Sequence, residues 1–297
     1  MILAASGLVS PPVALVGGII YGFSFVHPFH LAARQLSKLL LQASVVGLGF
    51  GMDLQQVLHA GRSGFVYTAC SISFAMLLGW GLGRLLAVKQ RTSFLITAGT
   101  AICGGSAIAA IAPITNASEE EIAVSLGTVF LLNSVALLAF PAIGTALHLT
   151  QTQFGLWAAL AIHDTSSVVG ATAKFGAVAL AVGTTVKLAR ALWIVPLSVG
   201  TAMAKKSKTR IQWPWFILFF RLAAVANTYV HTFQMFYPNL KHLGVIGLTV
   251  TLFLIGTGLS KKTLQEVGVR PLLQGILLWI VVAVGSLSLI RGGWIHL

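Results

Sequence analysis

The stretch TAGTAICGGSAIAAIAPIT, residues 97–115, decides how the rest of the chain is interpreted, because it is apolar yet built from small residues. It carries no charge, and Gly104 and Gly105 are adjacent near its centre. Each glycine lowers helix stability by about 1 kcal/mol relative to alanine. In lipid, unwound backbone is tolerated only where it is buried in protein or lines a cavity. We therefore predict a helix that is interrupted between Cys103 and Ser106, with close helix packing through small residues as the alternative.

The composition identifies the class of protein. The 297 residues are 57% hydrophobic and only 8% charged, with a mean hydropathy of +0.91, whereas soluble domains carry about 25% charged residues. The apolar residues come in blocks of about 20, enough to cross a hydrocarbon core. The net charge of +13 does not indicate nucleic-acid binding, because the basic residues lie mostly in short loops between these blocks. We predict an all-α polytopic protein of the cell (inner) membrane.

Ten apolar segments define the predicted topology of a single transmembrane domain, 1–297, with approximate halves 1–146 and 150–297. Their bounds are 9–27, 38–52, 63–86, 94–113, 121–146, 153–175, 178–203, 213–233, 242–259 and 271–290. Alternate assignment of the loops puts twice as many lysines and arginines on one side, which should be cytoplasmic. Both termini and the run Glu119–Glu121 are then expected outside, an assignment that would change if one segment were re-entrant.

An internal similarity predicts an inverted repeat. The stretch VVGLGFGMDLQQVLHAGRSGF at 45–65 resembles LFLIGTGLSKKTLQEVGVRPL at 252–272, and the two would run in opposite directions through the membrane. Inverted-topology repeats with discontinuous helices are typical of secondary transporters. We therefore expect discontinuous helices that cross within such a repeat. Chance similarity between Gly- and Leu-rich helices is the alternative.

A second unusual stretch, AIHDTSSVVGATAKFG at 161–176, contains consecutive polar residues in an apolar block: His163, Asp164, Thr165, Ser166 and Ser167. Ionisable groups at membrane depth are costly and indicate function by default. Histidine titrates near physiological pH, so His163 or Asp164 is a candidate to carry a coupling proton. A helix cap at an interface, or a structural polar contact inside the bundle, would also explain the cluster.

Basic residues within apolar segments form a third group of candidates. Lys187, Arg190 and Arg221 would add positive charge to a substrate cavity. Snorkelling to a membrane surface is the alternative for all three.

Two other polar residues, Asn133 and Glu121, each allow a structural and a functional interpretation. Asn133 suits an interhelical hydrogen bond as well as a ligand contact. Glu121 follows TNAS, a pattern typical of a helix N-terminus capped by Asn116 or Ser118, with ion coordination as the alternative. Cys70 and Cys103 have no metal-ligand spacing, and the sequence contains no nucleophile triad, phosphate loop or nucleotide fingerprint. We expect no enzymatic activity, cofactor or metal.

Three stretches carry a family resemblance: AGTAICGGSAIAAIAP at 98–113, HDTSSVVGATA at 163–173 and GLSKKTLQEVGVRPLL at 258–273. Together they resemble the YeiH-type family, described as sulfate exporters and similar to bile acid:sodium symporter-like transporters. The resemblance covers nearly the whole chain in order and implies discontinuous helices that cross at a central site. It matches ICGGSA at 102–107 to the family's Cys-Gly motif and His163 to its His-acid pair, with Asp164 where the family has glutamate.

These observations lead to one predicted function. We expect a secondary active transporter of a small anion, such as sulfate or an organosulfonate, working by alternating access and coupled to protons. The predicted substrate-binding residues are Cys103, Gly104, Gly105, Ser106, Thr165, Ser166, Ser167, Arg190 and Arg221, and the predicted ion-coupling residues are His163, Asp164, Glu121 and Asn133. The partners are the anion, a coupling ion (proton or sodium) and the bilayer, with homo-oligomerisation left open. The rivals are a sodium-coupled organic-anion symporter and a membrane sensor or channel-like component.

Overall fold

A computed structural model describes residue 9 and residues 11–24, 30–52, 54–205, 215–257 and 268–295. The α-helices in these ranges are α1 (Pro11–Ser24), α2 (His30–Gly49), α3 (Leu54–Leu85), α4 (Gln90–Ala101), α5 (Gly105–Ile111), α6 (Glu119–Ala146), α7 (Gln151–Ala161), α8 (Thr165–Phe175), α9 (Ala177–Ala191), α10 (Ile194–Lys205), α11 (Trp215–Tyr229), α12 (Tyr237–Thr257) and α13 (Val269–Arg291). Of the predicted repeat copy at 252–272, residues 258–267 lie outside the described residues.

The all-α prediction is confirmed. The described ranges are predominantly helical and contain no strand. Four stretches in them are helical, long and apolar enough to cross a membrane: Tyr67–Leu85, Glu120–Ala146, Ala177–Lys205 and Val269–Arg291. The segments 94–113 and 153–175 are not among them.

The chain forms two compact units, each assembled from two stretches of sequence. The first unit contains residues 1–60 and 214–261, and the second contains residues 61–213 and 262–297. Neither coincides with the sequence halves 1–146 and 150–297.

The first unit is built around α12, which packs against α1 and α2 through glycines. A Cβ atom on Gly47 of α2 would lie 3.0 Å from the carbonyl oxygen of Leu240 and 3.1 Å from the Cα of Gly244. Gly256 meets α1 in the same way, since a Cβ there would lie 2.5 Å from the Leu15 carbonyl oxygen. Close packing through small residues, the alternative for 97–115, is therefore the device that joins the helices of this unit.

In the second unit, α4 and α5 form a helical hairpin, here called hairpin 1. The chain leaves the helical conformation at Ile102, and Gly104 has φ +66°, a conformation that side chains other than glycine rarely adopt. α5 then returns along α4, so that Ile111 packs in one apolar cluster with Leu95. Lys89, just before hairpin 1, lies 3.7 Å from Glu120 of α6. Hairpin 1 thus begins and ends at the same end of the unit, here called the Lys89 end.

α7 and α8 form hairpin 2 in the same way. The turn is made by Ile162 and Asp164, both in extended conformations. Phe154 at the start of α7 stacks on Phe175 at the end of α8, with ring centroids 3.8 Å apart. The side chain of Gln151 accepts a hydrogen bond of 3.0 Å from the amide of Val178, at the start of α9. Both arms of hairpin 2 therefore open at one end of the unit, the Lys174 end.

The two hairpins enter the unit from opposite ends. α6 connects them, since its first turn lies beside Lys89 and Gly144 near its end lies against Phe154 of hairpin 2. α9 and α10 run back, because Lys205 shares a cavity with Arg91 at the Lys89 end. The unit therefore repeats one arrangement twice, a hairpin followed by a long helix, in opposite directions.

The expectation that 94–113 and 153–175 each cross the membrane once is wrong. Each segment turns back at its break, and its two halves pack against each other as well as against the neighbouring long helices. The run Glu119–Glu121 consequently begins α6 at the Lys89 end, beside Lys89 and Arg91. Its predicted position, on the opposite side from these basic residues, is also wrong.

Candidate functional site

The tips of the two hairpins meet inside the second unit. A Cβ atom placed on Gly104 would lie 3.4 Å from the Cα and Cβ of Asp164. This contact brings the two unusual stretches, 97–115 and 161–176, to one point, here called the crossover. The predicted interruption of the first stretch is confirmed, with α4 ending at Ala101 and α5 beginning at Gly105.

The tip of hairpin 2 is held by side chains from two helices. The backbone N–H of Asp164 donates a hydrogen bond of 3.1 Å to Oδ1 of Asn133, on α6. Oδ2 of Asp164 accepts hydrogen bonds from the backbone N–H and the hydroxyl of Ser166, which makes Asp164 the N-cap of α8. Asp164 is thus a capping residue, as one of the alternatives proposed, but the cap lies at the crossover and not at an interface.

The carboxyl end of α4 is closed by a buried arginine. The last carbonyl groups of an α-helix have no partner within the helix and need donors from elsewhere. Arg190, on α9, donates from Nε to the carbonyl oxygen of Ala101 at 2.6 Å and from Nη2 to that of Thr100 at 3.4 Å. A guanidinium group has donors in a rigid fork and suits such a bridging position.

The carboxyl end of α7 is closed by the same arginine together with a lysine and a tryptophan. Arg190 donates from Nη1 to the Leu160 carbonyl oxygen at 2.6 Å. Nζ of Lys187 lies 2.6 Å from the carbonyl oxygen of Ile162 and 3.4 Å from that of Ala159. Trp279, on α13, donates to the remaining carbonyl, that of Ala161, at 3.1 Å. Arg190 therefore links the two hairpins, whereas Lys187 serves hairpin 2 alone.

Lys187 and Arg190 are fully buried, each with a relative exposure of 0%. Snorkelling, the alternative predicted for both, is wrong for this structure because neither side chain reaches the surface. Lys187 was not among the predicted site residues. The signal that would have found it is the spacing of three between the two cations, which places them on one face of an apolar helix.

Several polar atoms at the crossover have no hydrogen-bond partner within the described structure. Both ring nitrogens of His163 are in this state, as are Nδ2 of Asn133 and the hydroxyl of Thr100, and all three residues are buried. Buried polar groups are normally paired, so unpaired ones require an explanation such as a ligand or water. The crossover therefore has unused hydrogen-bonding capacity beside fixed charges.

The other predicted site residues are distributed as follows. Cys103 and Gly104 are buried at the tip of hairpin 1, Gly105 at the start of α5 is half-buried, and Ser106, the second residue of α5, is exposed. Thr165, Ser166 and Ser167 are buried in the first turn of α8.

Two predicted residues have other surroundings. The backbone N–H of Glu121 donates to the hydroxyl of Ser118, and the carboxylate of Glu121 accepts from the backbone N–H of Ser118. This reciprocal capping box, at the Lys89 end, confirms the predicted helix N-terminus. Arg221 belongs to the first unit, where it is exposed on α11.

Comparison with known proteins shows the family. The family described as "Conserved hypothetical protein 698" matches residues 3–275. A UPF0324 membrane protein of Bacteroides thetaiotaomicron is 50% identical over 290 residues, which cover 97% of this chain and 88% of the relative. The chain belongs to the UPF0324 family of membrane proteins. This confirms the YeiH-type family resemblance at the level of the family and the prediction of a multi-pass membrane protein.

Other UPF0324 members are equally similar. The protein of Porphyromonas gingivalis is 52% identical over 288 residues, covering 95% of this chain and 87% of its own. That of Bdellovibrio bacteriovorus is 51% identical over 302 residues, covering 97% and 91%. No solved structure matches the chain.

Proposed function

We propose that this UPF0324 protein is a secondary transporter of a small anion, with the substrate site at the crossover of the two hairpins. The observation that carries the proposal is the contact between Gly104 and Asp164, at the tips of hairpins that enter from opposite ends. Transporters with inverted-topology repeats bind their substrates where discontinuous helices from the two repeats meet near the middle of the bilayer. The hairpin-plus-helix arrangement of the second unit supports a site of this kind at the crossover.

The charges at the crossover favour an anion. Lys187 and Arg190 contribute two positive charges and Asp164 one negative charge, and these are the buried charged side chains of the described residues. Each half-helix contributes about half a charge at its end, negative at α4 and α7 and positive at α5 and α8. These four partial charges cancel in sum. The site therefore carries a net charge of about +1 when His163 is neutral.

Proton coupling is proposed for His163. Of the two candidate groups, Asp164 is engaged as the N-cap of α8, whereas both ring nitrogens of His163 are unpaired. A proton on His163 would raise the charge of the site next to Lys187 and Arg190 and so strengthen its attraction for an anion. Uptake of the proton and of the anion would then favour each other.

Ligand-induced thermal stabilisation tests the proposal first, with sulfate, sulfite, taurine, small carboxylates and bile acids at about pH 6 and about pH 8. A ligand far above its Kd adds a few kcal/mol of apparent stability. We expect a sulfur oxyanion to stabilise the purified protein more strongly at the lower pH, and the pH difference to disappear in His163→Ala. Counterflow of the same anion into proteoliposomes then measures transport.

The control uses two matched serine substitutions. Ser106→Leu adds bulk beside the crossover, whereas Ser73→Leu adds the same bulk to an exposed position on α3. We expect loss of ligand stabilisation and counterflow only in Ser106→Leu. Normal counterflow in Ser106→Leu would remove the crossover as the substrate site, and flux that is linear in anion concentration would favour a channel.

A further inference from the structure

The carbonyl groups at the crossover are the starting point for a second inference, which concerns the coupling ion. The carboxyl ends of half-helices carry partial negative charge and several unpaired carbonyl oxygens. In sodium-coupled carriers, such ends and the unwound backbone beside them coordinate the sodium ion. The crossover of this protein has two of these ends, at Ala101 of α4 and at Ala161 of α7.

Every carbonyl at these two ends already has a donor. At α4, the oxygens of Ala98 and Gly99 accept from backbone amides, and Arg190 takes the next two. At α7, the oxygen of Ala158 accepts from a backbone amide, and the following four oxygens accept from Lys187, Arg190 and Trp279. The oxygens that would form a sodium site are therefore occupied by donors of the chain itself, and five of them are held by the positive groups of Lys187 and Arg190.

The charges of these side chains oppose an additional cation there. The guanidinium of Arg190 lies 2.6 Å from the carbonyl oxygens of Ala101 and Leu160, and the ammonium of Lys187 lies 2.6 Å from that of Ile162. A sodium ion on the same oxygens would stand within a few ångströms of these charges, where water does not screen the repulsion.

We propose that Lys187 and Arg190 are tethered cations that take the place of a coupling sodium ion, so that anion binding and transport by this protein do not depend on sodium. The transport part of this statement rests on the proposed function, whereas the occupation of the carbonyl ends does not. The two residues have different structural roles. Arg190 joins hairpin 1 to hairpin 2, and Lys187 supplies a compact charge to hairpin 2 on a flexible stem.

Lys187 is the residue to remove, because its substitution leaves the bridge made by Arg190 in place. Lys187→Ala exposes the carbonyl oxygens of Ala159 and Ile162 in a buried space of the length of a lysine side chain. The missing atoms are three carbons and the ammonium group, which n-propylammonium reproduces. We therefore expect this variant to acquire affinity for n-propylammonium.

The experiment measures thermal unfolding midpoints of the full-length wild-type protein in detergent. Sodium chloride, potassium chloride and N-methylglucamine chloride are compared at equal ionic strength. The wild-type midpoint should be the same in all three salts within about 1 °C, a change that corresponds to well under 1 kcal/mol. Lys187→Ala should unfold at a lower temperature and recover part of the loss as n-propylammonium is added. The matched control, Lys174→Ala, removes an exposed lysine of hairpin 2 and should respond to neither ion.

Specific stabilisation of the wild-type protein by sodium would overturn the proposal, and so would a Lys187→Ala variant that n-propylammonium does not stabilise. If Lys187→Ala does not yield folded protein, Lys187→Met replaces it, because methionine keeps an apolar side chain of similar length. The proposal then requires the thermal unfolding midpoint of Lys187→Met to lie below that of wild type in every salt. These measurements need no transport. If the salt comparison and the n-propylammonium rescue come out as expected but no anion shows counterflow, the proposed function alone is rejected. If counterflow occurs but requires sodium, the proposal of tethered cations alone is rejected.

Discussion

Gly104 and Asp164 lie so close, at the tips of two hairpins that enter the second unit from opposite ends, that a Cβ atom added to Gly104 would be in van der Waals contact with Asp164. The contact depends on Gly104, whose φ of +66° and ψ of −127° turn the chain. It also depends on Asn133 and Arg190, which hold the two tips from the long helices that follow the hairpins.

Accessibility of cysteines at Lys89 and Glu120 distinguishes a hairpin from a membrane crossing. Both positions are exposed, and they lie at the same end of the unit. In a background with Cys70→Ser and Cys103→Ser, we expect a membrane-impermeant maleimide to label Lys89→Cys and Glu120→Cys from the same side of the membrane. Lys174→Cys should be labelled from the other side. If Lys89→Cys and Glu120→Cys react from opposite sides, hairpin 1 crosses the membrane and the assignment of the crossover is wrong.

Substitution of Gly104 tests the turn of hairpin 1. Gly104→Ala introduces a Cβ at a positive φ and within 3.4 Å of Val129 and Asp164, so we expect a loss of about 1–3 kcal/mol in stability. Gly81→Ala is the control, because nothing lies within 4 Å of a Cβ there and alanine favours the helix. The thermal unfolding midpoint should fall only in Gly104→Ala. Equal midpoints in the two variants would show that the turn does not require glycine.

Two substitutions of Asn133 distinguish its structural contribution to the site from the electrostatic one. Asn133→Leu removes the acceptor for the amide of Asp164, and a buried amide left unpaired costs about 1–3 kcal/mol. Asn133→Asp keeps an acceptor oxygen in the same place but adds a negative charge. We expect Asn133→Asp to fold and yet to lose anion-induced thermal stabilisation, since the net positive charge of the crossover is cancelled. Undiminished anion stabilisation in Asn133→Asp would remove the electrostatic argument for an anionic substrate.

Arg190 is expected to matter mainly for stability. Arg190→Met leaves three buried carbonyl oxygens, on Thr100, Ala101 and Leu160, without their donor, and each unpaired group costs about 1–3 kcal/mol. Arg190→Lys should be intermediate, because one ammonium cannot bridge both hairpins as a guanidinium does. Arg291→Met, at an exposed arginine, serves as the control and should change little. The readout is the unfolding midpoint in detergent, and a stable Arg190→Met would mean that the bridge is dispensable.

Much of the candidate site could be predicted from local sequence. Paired glycines without charge in 97–115 weaken a helix wherever they occur, and polar residues in 161–176 are costly in any apolar segment. Both signals are local, and both stretches are interrupted in the structure, at Ile102–Gly104 and Ile162–Asp164. The cap of α6 by Ser118 is local as well, since it joins residues three apart.

The course of the chain after each break could not be predicted in this way. An interrupted helix of apolar residues can continue across the membrane or turn back, and its hydropathy is the same in both cases. The choice depends on contacts between distant residues, such as Leu95 with Ile111, and Phe154 with Phe175. Counting each segment as a crossing consequently placed Glu119–Glu121 on the wrong side.

The sequence by itself determined that this is an all-helical membrane protein with two weakened stretches rich in small or polar residues, because hydropathy and helix propensity are properties of neighbouring residues. Only the tertiary structure decided that the two breaks meet and that Lys187 and Arg190 close the exposed carbonyl ends. Buried carbonyl groups at a helix end need hydrogen-bond donors from outside the helix. Here the donors Lys187 and Arg190 lie on another helix, about 25 to 90 residues away along the chain.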